Sequence, residues 1–144
     1  MNTEIFALHP RLAGDTHVVG DLALSRVLLM DDVCWRWLIL VPRQPGLREL
    51  IDLATPDLHT LTDEIALASR VLQALFTPDK LNVGALGNVV EQLHVHVIAR
   101  YADDPAWPAP VWGHAPPQRH AAPELAAKLD TLREGFVAAG RQLS

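Results

Sequence analysis

Between Val89 and Ala99 the chain reads Val89-Val90-Glu91-Gln92-Leu93-His94-Val95-His96-Val97-Ile98-Ala99. From Gln92 onward polar and apolar residues alternate, a period of two that no helix can satisfy. The run is therefore a strand with unlike faces. Leu93, Val95 and Val97 point one way and Gln92, His94 and His96 the other, with about 7 Å from one polar side chain to the next. A protein built around this strand needs a sheet, and it sets two imidazoles side by side on one face of it.

The other elements follow from similar patterns. Ser25 to Met30 and Trp35 to Val41 are apolar, β-rich runs separated by Asp31-Asp32, an antiparallel hairpin that ends at Pro42. Glu4 to Leu8 and His17 to Val19 are short strand candidates. Thr55-Pro56-Asp57 has the form of a helix start, with a threonine cap, proline in the first turn and an acid behind it. Leu58, Leu61, Ile65, Ala68, Leu72 and Leu75 then form one apolar stripe over about five turns, with Asp63 and Glu64 facing away. Leu81 to Ala85 reads as a further strand, and Gly87-Asn88 as a turn. More than half of the eleven prolines lie between Asp103 and Pro123, a loop that also carries Trp107 and Trp112. A second amphipathic helix spans 124–139. This order predicts an α+β fold: an antiparallel sheet of about five strands, one long helix and a C-terminal helix, in a single domain over 1–144.

Composition narrows the chemistry. The formal net charge is −5, and no Lys/Arg run is present to displace counterions from a phosphate backbone, so specific nucleic-acid binding is not expected. A single cysteine, Cys34, excludes an internal disulfide and reads as structural. No apolar stretch approaches the length of a membrane helix, and Met1-Asn2-Thr3-Glu4 lacks the basic cap and apolar run of a secretory leader. The expectation is a cytoplasmic protein without membrane contact.

His-x-His on a strand is compatible with core or surface histidines, with part of a metal site, or with catalysis. A metal would need further ligands. His9, His17, His59, His114 and His120 are scattered, and no acid pairs with them at a recognisable spacing, so neither metal nor cofactor is expected. An imidazole with an ordinary pKa of about 6.5 is largely neutral and nucleophilic at neutral pH, which suits attack on phosphorus.

Gly87-Asn88-Val89-Val90-Glu91-Gln92-Leu93-His94-Val95-His96-Val97-Ile98 resembles the signature of the histidine triad (HIT) superfamily. The hairpin that closes at Val41-Pro42-Arg43 and the long helix from Leu58 to Phe76 resemble the family in the same order, over residues 20–100. The resemblance implies roles for several residues. His94 stands at the central nucleophile, which is transiently nucleotidylated. His96 stands at the last histidine, a phosphate contact, and Asn88 at the amide near the reacting phosphate. Gln92 replaces the first histidine of the triad, and the family's upstream glutamine and hydroxyl residue are here Asn88 and Val89. In the family a backbone carbonyl on the same strand orients the nucleophile, so the change at 92 leaves that support intact. Gln92 itself offers hydrogen bonds but no titratable proton.

Asp31, with Asp32, lies near the family's ribose site, although turn chemistry explains both equally well. Leu29 and Met30 read as strand core or base pocket. Trp112, like Trp107, reads as a stacking surface for a base or as loop packing, and Arg100 as a phosphate partner or a solvent-facing strand end. The resemblance implies a homodimeric nucleotide hydrolase or transferase. The other reading is a nucleotide-binding regulatory protein with weak turnover, to which Gln92 points.

Overall fold

The structure, a computed structural model, describes residues 4–144. Met1, Asn2 and Thr3, used above to judge the leader, lie outside the described residues. Five strands form one antiparallel sheet in the order β1-β2-β3-β5-β4: β1 (Thr16–Asp21), β2 (Ser25–Met30), β3 (Arg36–Pro42), β4 (Lys80–Gly84) and β5 (Val95–Arg100). A short helix α1 (Pro10–Asp15) precedes β1, α2 (Thr55–Phe76) links β3 to β4, and α3 (Ala122–Ala138) closes the chain. The α+β expectation holds.

The sheet is covered on both faces. On one, Val27, Leu29, Leu38, Leu40, Val97 and Ala99 pack against α2 and α3 through Leu67, Val71, Leu72, Leu132 and Phe136. On the other, Leu28, Trp37, Ile39, Val41 and Ile98 are covered by α1 and the proline-rich loop, through Leu12, Ala106 and Val111. One short helix and a loop, rather than long helices, therefore roof the histidine face, and that leaves room for a cleft.

Four local expectations need correction. Glu4 to Leu8 is not a strand; instead proline at its first position and the His9 ring, whose Nδ1 accepts the Arg11 N–H at 3.1 Å, start α1 just behind it. Thr55 lies inside α2 rather than capping it, the cap position being Ala54, and the helix is longer than the stripe suggested, at 22 residues. Glu64 does not face solvent. It is buried, and its carboxylate accepts the N–H groups of Leu24 (2.9 Å) and Ser25 (3.0 Å), which would otherwise lack partners at the β1–β2 turn. Finally, β5 begins only at Val95. The Leu93 N–H leaves the ladder to donate to Leu47 O (2.9 Å), so Gln92, Leu93 and His94 precede the strand.

Arg100 is neither a phosphate partner nor a solvent-facing strand end. It is 1% exposed and forms a two-point pair with Asp104 (2.7 and 3.0 Å), with further bonds to Asn82 and the Ala109 carbonyl. Its guanidinium lies 5.6 Å from the ring centres of both Trp35 and Trp107. The Arg100 pairing, aided by N–H donors from Tyr101, Trp107 and Ala106, holds the Asp104 carboxyl down at about 2 against the opposing effect of burial. This buried hub anchors the proline-rich loop over the sheet.

Candidate active site

The site assembles where β5 begins. His96 sits between Ile39 of β3 and Gly84 of β4. A Cβ at Gly84 would stand 3.3 Å from the Trp112 ring, so the glycine lets that indole settle against His96, edge to face at 5.4 Å. His94 follows the turn at Gly87, whose φ of +72° favours glycine, and its ring centre lies 4.9 Å from that of His96. Both rings are nearly buried.

Their partners fix opposite tautomers. His94 Nδ1 lies 2.6 Å from the Gln92 carbonyl. A carbonyl only accepts, so Nδ1 carries the hydrogen and Nε2 keeps its lone pair. His96 Nδ1 lies 2.9 Å from Trp37 Nε1. An indole N–H only donates, so neutral His96 carries its hydrogen on Nε2. Burial, and secondarily the neighbouring His94, push the His96 pKa down to about 3 and keep the ring neutral. One ring thus offers a nucleophilic nitrogen and the other a neutral N–H donor.

The two histidines open onto a cleft of about 500 Å³ lined by Leu12, Met30, Ile39, Asn88 and Trp112. A second cavity of about 280 Å³ adjoins it through Met30, Trp37 and Arg11, and reaches Asp32 and Arg119. Among the expected site residues, His94, His96, Asn88 and Trp112 come together in this cleft, Asn88 exposed at its rim. Met30 lines it too, while Leu29 belongs to the helix-side core.

Gln92 and Asp31 do not fit as expected. The Gln92 side chain does not join the histidines; its Nε2 donates to Ala7 O (2.9 Å) and its Oε1 accepts from the His9 N–H (2.8 Å). Asp31 is saturated. One oxygen accepts the N–H and Nδ1 of His120, and the other accepts His17 Nε2 and Arg119 Nη1. Burial raises its pKa, but these donors outweigh it and hold the carboxyl well below the usual carboxylate range. No lone pair is left for a ribose. Asp32 is different: its Oδ1 takes the Cys34 and Gln118 N–H groups, and its Oδ2 receives no donor from the described residues. Sequence reasoning weighed Asp32 but singled out its neighbour. It missed Trp37 altogether, because the β3–β5 register that brings the indole to His96 is not written in either strand alone. Among the described residues no three His, Cys, Asp or Glu side chains converge as metal ligands, and no helix is long and apolar enough to cross a membrane.

The five-stranded antiparallel sheet and the polarised histidine pair where β5 begins define the class of the protein. The profile of the HIT domain family matches residues 11–103, and the chain belongs to that family. Three solved histidine triad proteins resemble it over nearly their whole length. The protein from Marinobacter aquaeolei is 45% identical, with 94% of this chain and 99% of that one covered and a TM-score of 0.91. The one from Bradyrhizobium japonicum is 47% identical, with 92% and 99% covered and a TM-score of 0.89. The one from Sinorhizobium meliloti is 41% identical, with 90% and 96% covered and a TM-score of 0.88. No curated protein matches the chain.

Proposed function

We propose that this protein is a nucleotide hydrolase or nucleotidyl transferase, hydrolysis favoured, whose His94 attacks the α-phosphorus of a dinucleoside polyphosphate or nucleoside phosphoramidate. The observation that carries this reading is the pair of opposed tautomers. His94 Nε2 forms a bond to phosphorus while the bond from phosphorus to the leaving group breaks, and the leaving group departs with that electron pair. Water then attacks the nucleotidyl-histidine, releasing a nucleoside monophosphate and restoring the ring, so one hard displacement becomes two easier ones. The His96 Nε2–H donates to a non-bridging oxygen as charge gathers there, and Asn88 supplies an amide at the rim. Asp32 Oδ2 is the free acceptor for a ribose hydroxyl, and Trp112 borders the nucleotide.

Among the described residues no third titratable side chain hydrogen-bonds either imidazole, and Gln92 is committed elsewhere. That observation favours the second reading, a nucleotide-binding regulatory protein with weak turnover. Mass spectrometry of protein mixed with a diadenosine polyphosphate or adenosine phosphoramidate, quenched in base, separates the two. An adenylyl group on the His94 peptide that disappears on further incubation supports the enzyme; saturable AMP binding with neither adduct nor turnover supports the regulatory protein. Val83, Leu86 and Val89, exposed on and just beyond β4 at the sheet edge, suit a homodimer, and a cytoplasmic location fits the single free cysteine.

A further inference from the structure

The Gln92 side chain makes contacts that the histidine it replaces could not make. A primary amide presents a carbonyl and an N–H at one end, the same pair that a peptide unit presents. Gln92 uses both, on Ala7 O and on the N–H of His9, two residues apart on one edge of extended chain. The amide thus pairs with the N-terminal segment as a neighbouring strand would.

The bonded segment continues directly into the wall of the cleft. His9 starts α1 through its ring and through its carbonyl, which accepts the Ala13 N–H at 3.0 Å. From α1, Arg11, Leu12 and Asp15 line the cleft. The far end of α1 is tied down as well, by Thr16 Oγ1 on Leu12 O (2.6 Å) and by the Asp31 N–H on Asp15 O (3.0 Å). The near end has the Gln92 amide. Meanwhile the main-chain carbonyl of the same residue accepts the Nδ1–H that sets the His94 tautomer.

We infer that Gln92 is a positioning residue: its side-chain amide holds the N-terminal wall against the cleft, from the same residue whose main-chain carbonyl accepts from His94. This inference rests on the nucleotide chemistry proposed above. It demands a donor and an acceptor on one planar end. An ionised carboxylate has no donor, an aliphatic chain has neither, and an imidazole carries its two nitrogens on different edges of a ring.

The test uses the full-length protein and the variants Gln92→Glu and Gln92→Leu. At pH 7 both variants should exchange the amide hydrogens of residues 7–13 about tenfold faster, and AMP should bind about tenfold more weakly by calorimetry, a factor that corresponds to roughly 1.4 kcal/mol. Near pH 4.5, where a carboxyl begins to regain its proton, Gln92→Glu recovers an O–H donor beside a carbonyl acceptor. It should then regain slow exchange relative to Gln92→Leu. His9, Arg48, Glu49 and His94 flank position 92, and because the Leu variant carries all of them it subtracts their titration. Unchanged exchange at pH 7 in both variants, or no difference between them at low pH, overturns the inference. Slow exchange needs no substrate, so wild-type protein that fails to form an adduct defeats the nucleotide-transfer reading without deciding the role of Gln92.

Discussion

Trp37→Phe removes one atom group that matters, the indole N–H that points at His96 Nδ1. The phenyl ring still fills most of the site in the core cluster around Leu28, Ile39 and Ile98. What is lost is a buried hydrogen bond of 2.9 Å, and His96 Nδ1 is left without a partner. Leaving a buried acceptor unsatisfied costs about 1–3 kcal/mol, so the melting temperature should fall by several degrees. The functional consequence is separate. Without the indole, neutral His96 can carry its hydrogen on either nitrogen, and only the Nε2–H form donates to the phosphate. If this donor acts mainly as charge develops, kcat should drop about tenfold or more while KM moves by less than about threefold. Ile98→Val is the control. Ile98 is buried in the same cluster and pairs with Trp37 in register, does not line the cleft, and its shortening costs a comparable ~0.5–1.5 kcal/mol without removing the indole N–H. Nitrogen-15 chemical shifts of the His96 ring report the tautomer directly. A Trp37→Phe protein that keeps the Nε2–H tautomer and the wild-type kcat, or one whose kcat falls no further than that of Ile98→Val, would refute the assignment.

Other outcomes follow from the same geometry. His94→Ala should abolish turnover and the covalent adduct, with AMP affinity by calorimetry within a few-fold of wild type, because the nucleophile acts after binding. Asp31→Asn, which breaks a buried carboxylate with four donors, should cost about 3 kcal/mol in urea unfolding, whereas Asp32→Asn should weaken ribonucleotides selectively over 2′-deoxyribonucleotides. Acid should expose the buried state of His96. Its folded pKa, about 3, lies below its ordinary value of 6.5, so the unfolded chain takes the proton first and stability falls as pH drops through that window. His96→Asn lacks this loss, so its urea midpoint should decline less between pH 6.5 and 4 than that of wild type; parallel curves would contradict a neutral buried ring.

Much of the fold was legible because local pattern and tertiary role agreed. The hairpin runs became β2 and β3 nearly residue for residue, and the stripe from Leu58 to Leu75 became the buried side of α2. The side assignment at β5 and the residues leading into it held except at Gln92: Leu93, Val95 and Val97 pack toward the helices, and His94 and His96 face the cleft. The illegible parts were those decided by partners far away in sequence. Glu64, three residues after Leu61 and four before Ala68, stands at the edge of the apolar stripe, where a carboxylate is expected to turn to solvent, yet the bare N–H groups of Leu24 and Ser25 hold it inside. Arg100 looks like a strand end until Asp104, Trp35 and Trp107 close around it. Asp31 and Asp32 are adjacent and chemically identical, and His17 together with the return of the chain at Arg119 and His120 separates a saturated carboxylate from one with an oxygen that no described residue occupies.

Gln92 shows how far a period can mislead when the ladder stops. Alternation alone places it in a row with His94 and His96, and on that reading Gln92→His restores a third titratable ring and speeds hydrolysis. The Leu93 N–H, however, bonds Leu47 rather than a sheet neighbour, and the chain before Val95 follows a different path. The amide at 92 then reaches Ala7 and His9, on the outer wall of the cleft. An imidazole there cannot bracket a carbonyl and an N–H two residues apart with one end, so Gln92→His should release that wall before it can supply a proton. The expected result is a higher KM with no gain in kcat and no new ionisation in the pH–rate profile. A faster variant with a new ionisation in the histidine range would mean that a two-ring site is short of a proton donor, and that the bonds to residues 7 and 9 are incidental to turnover.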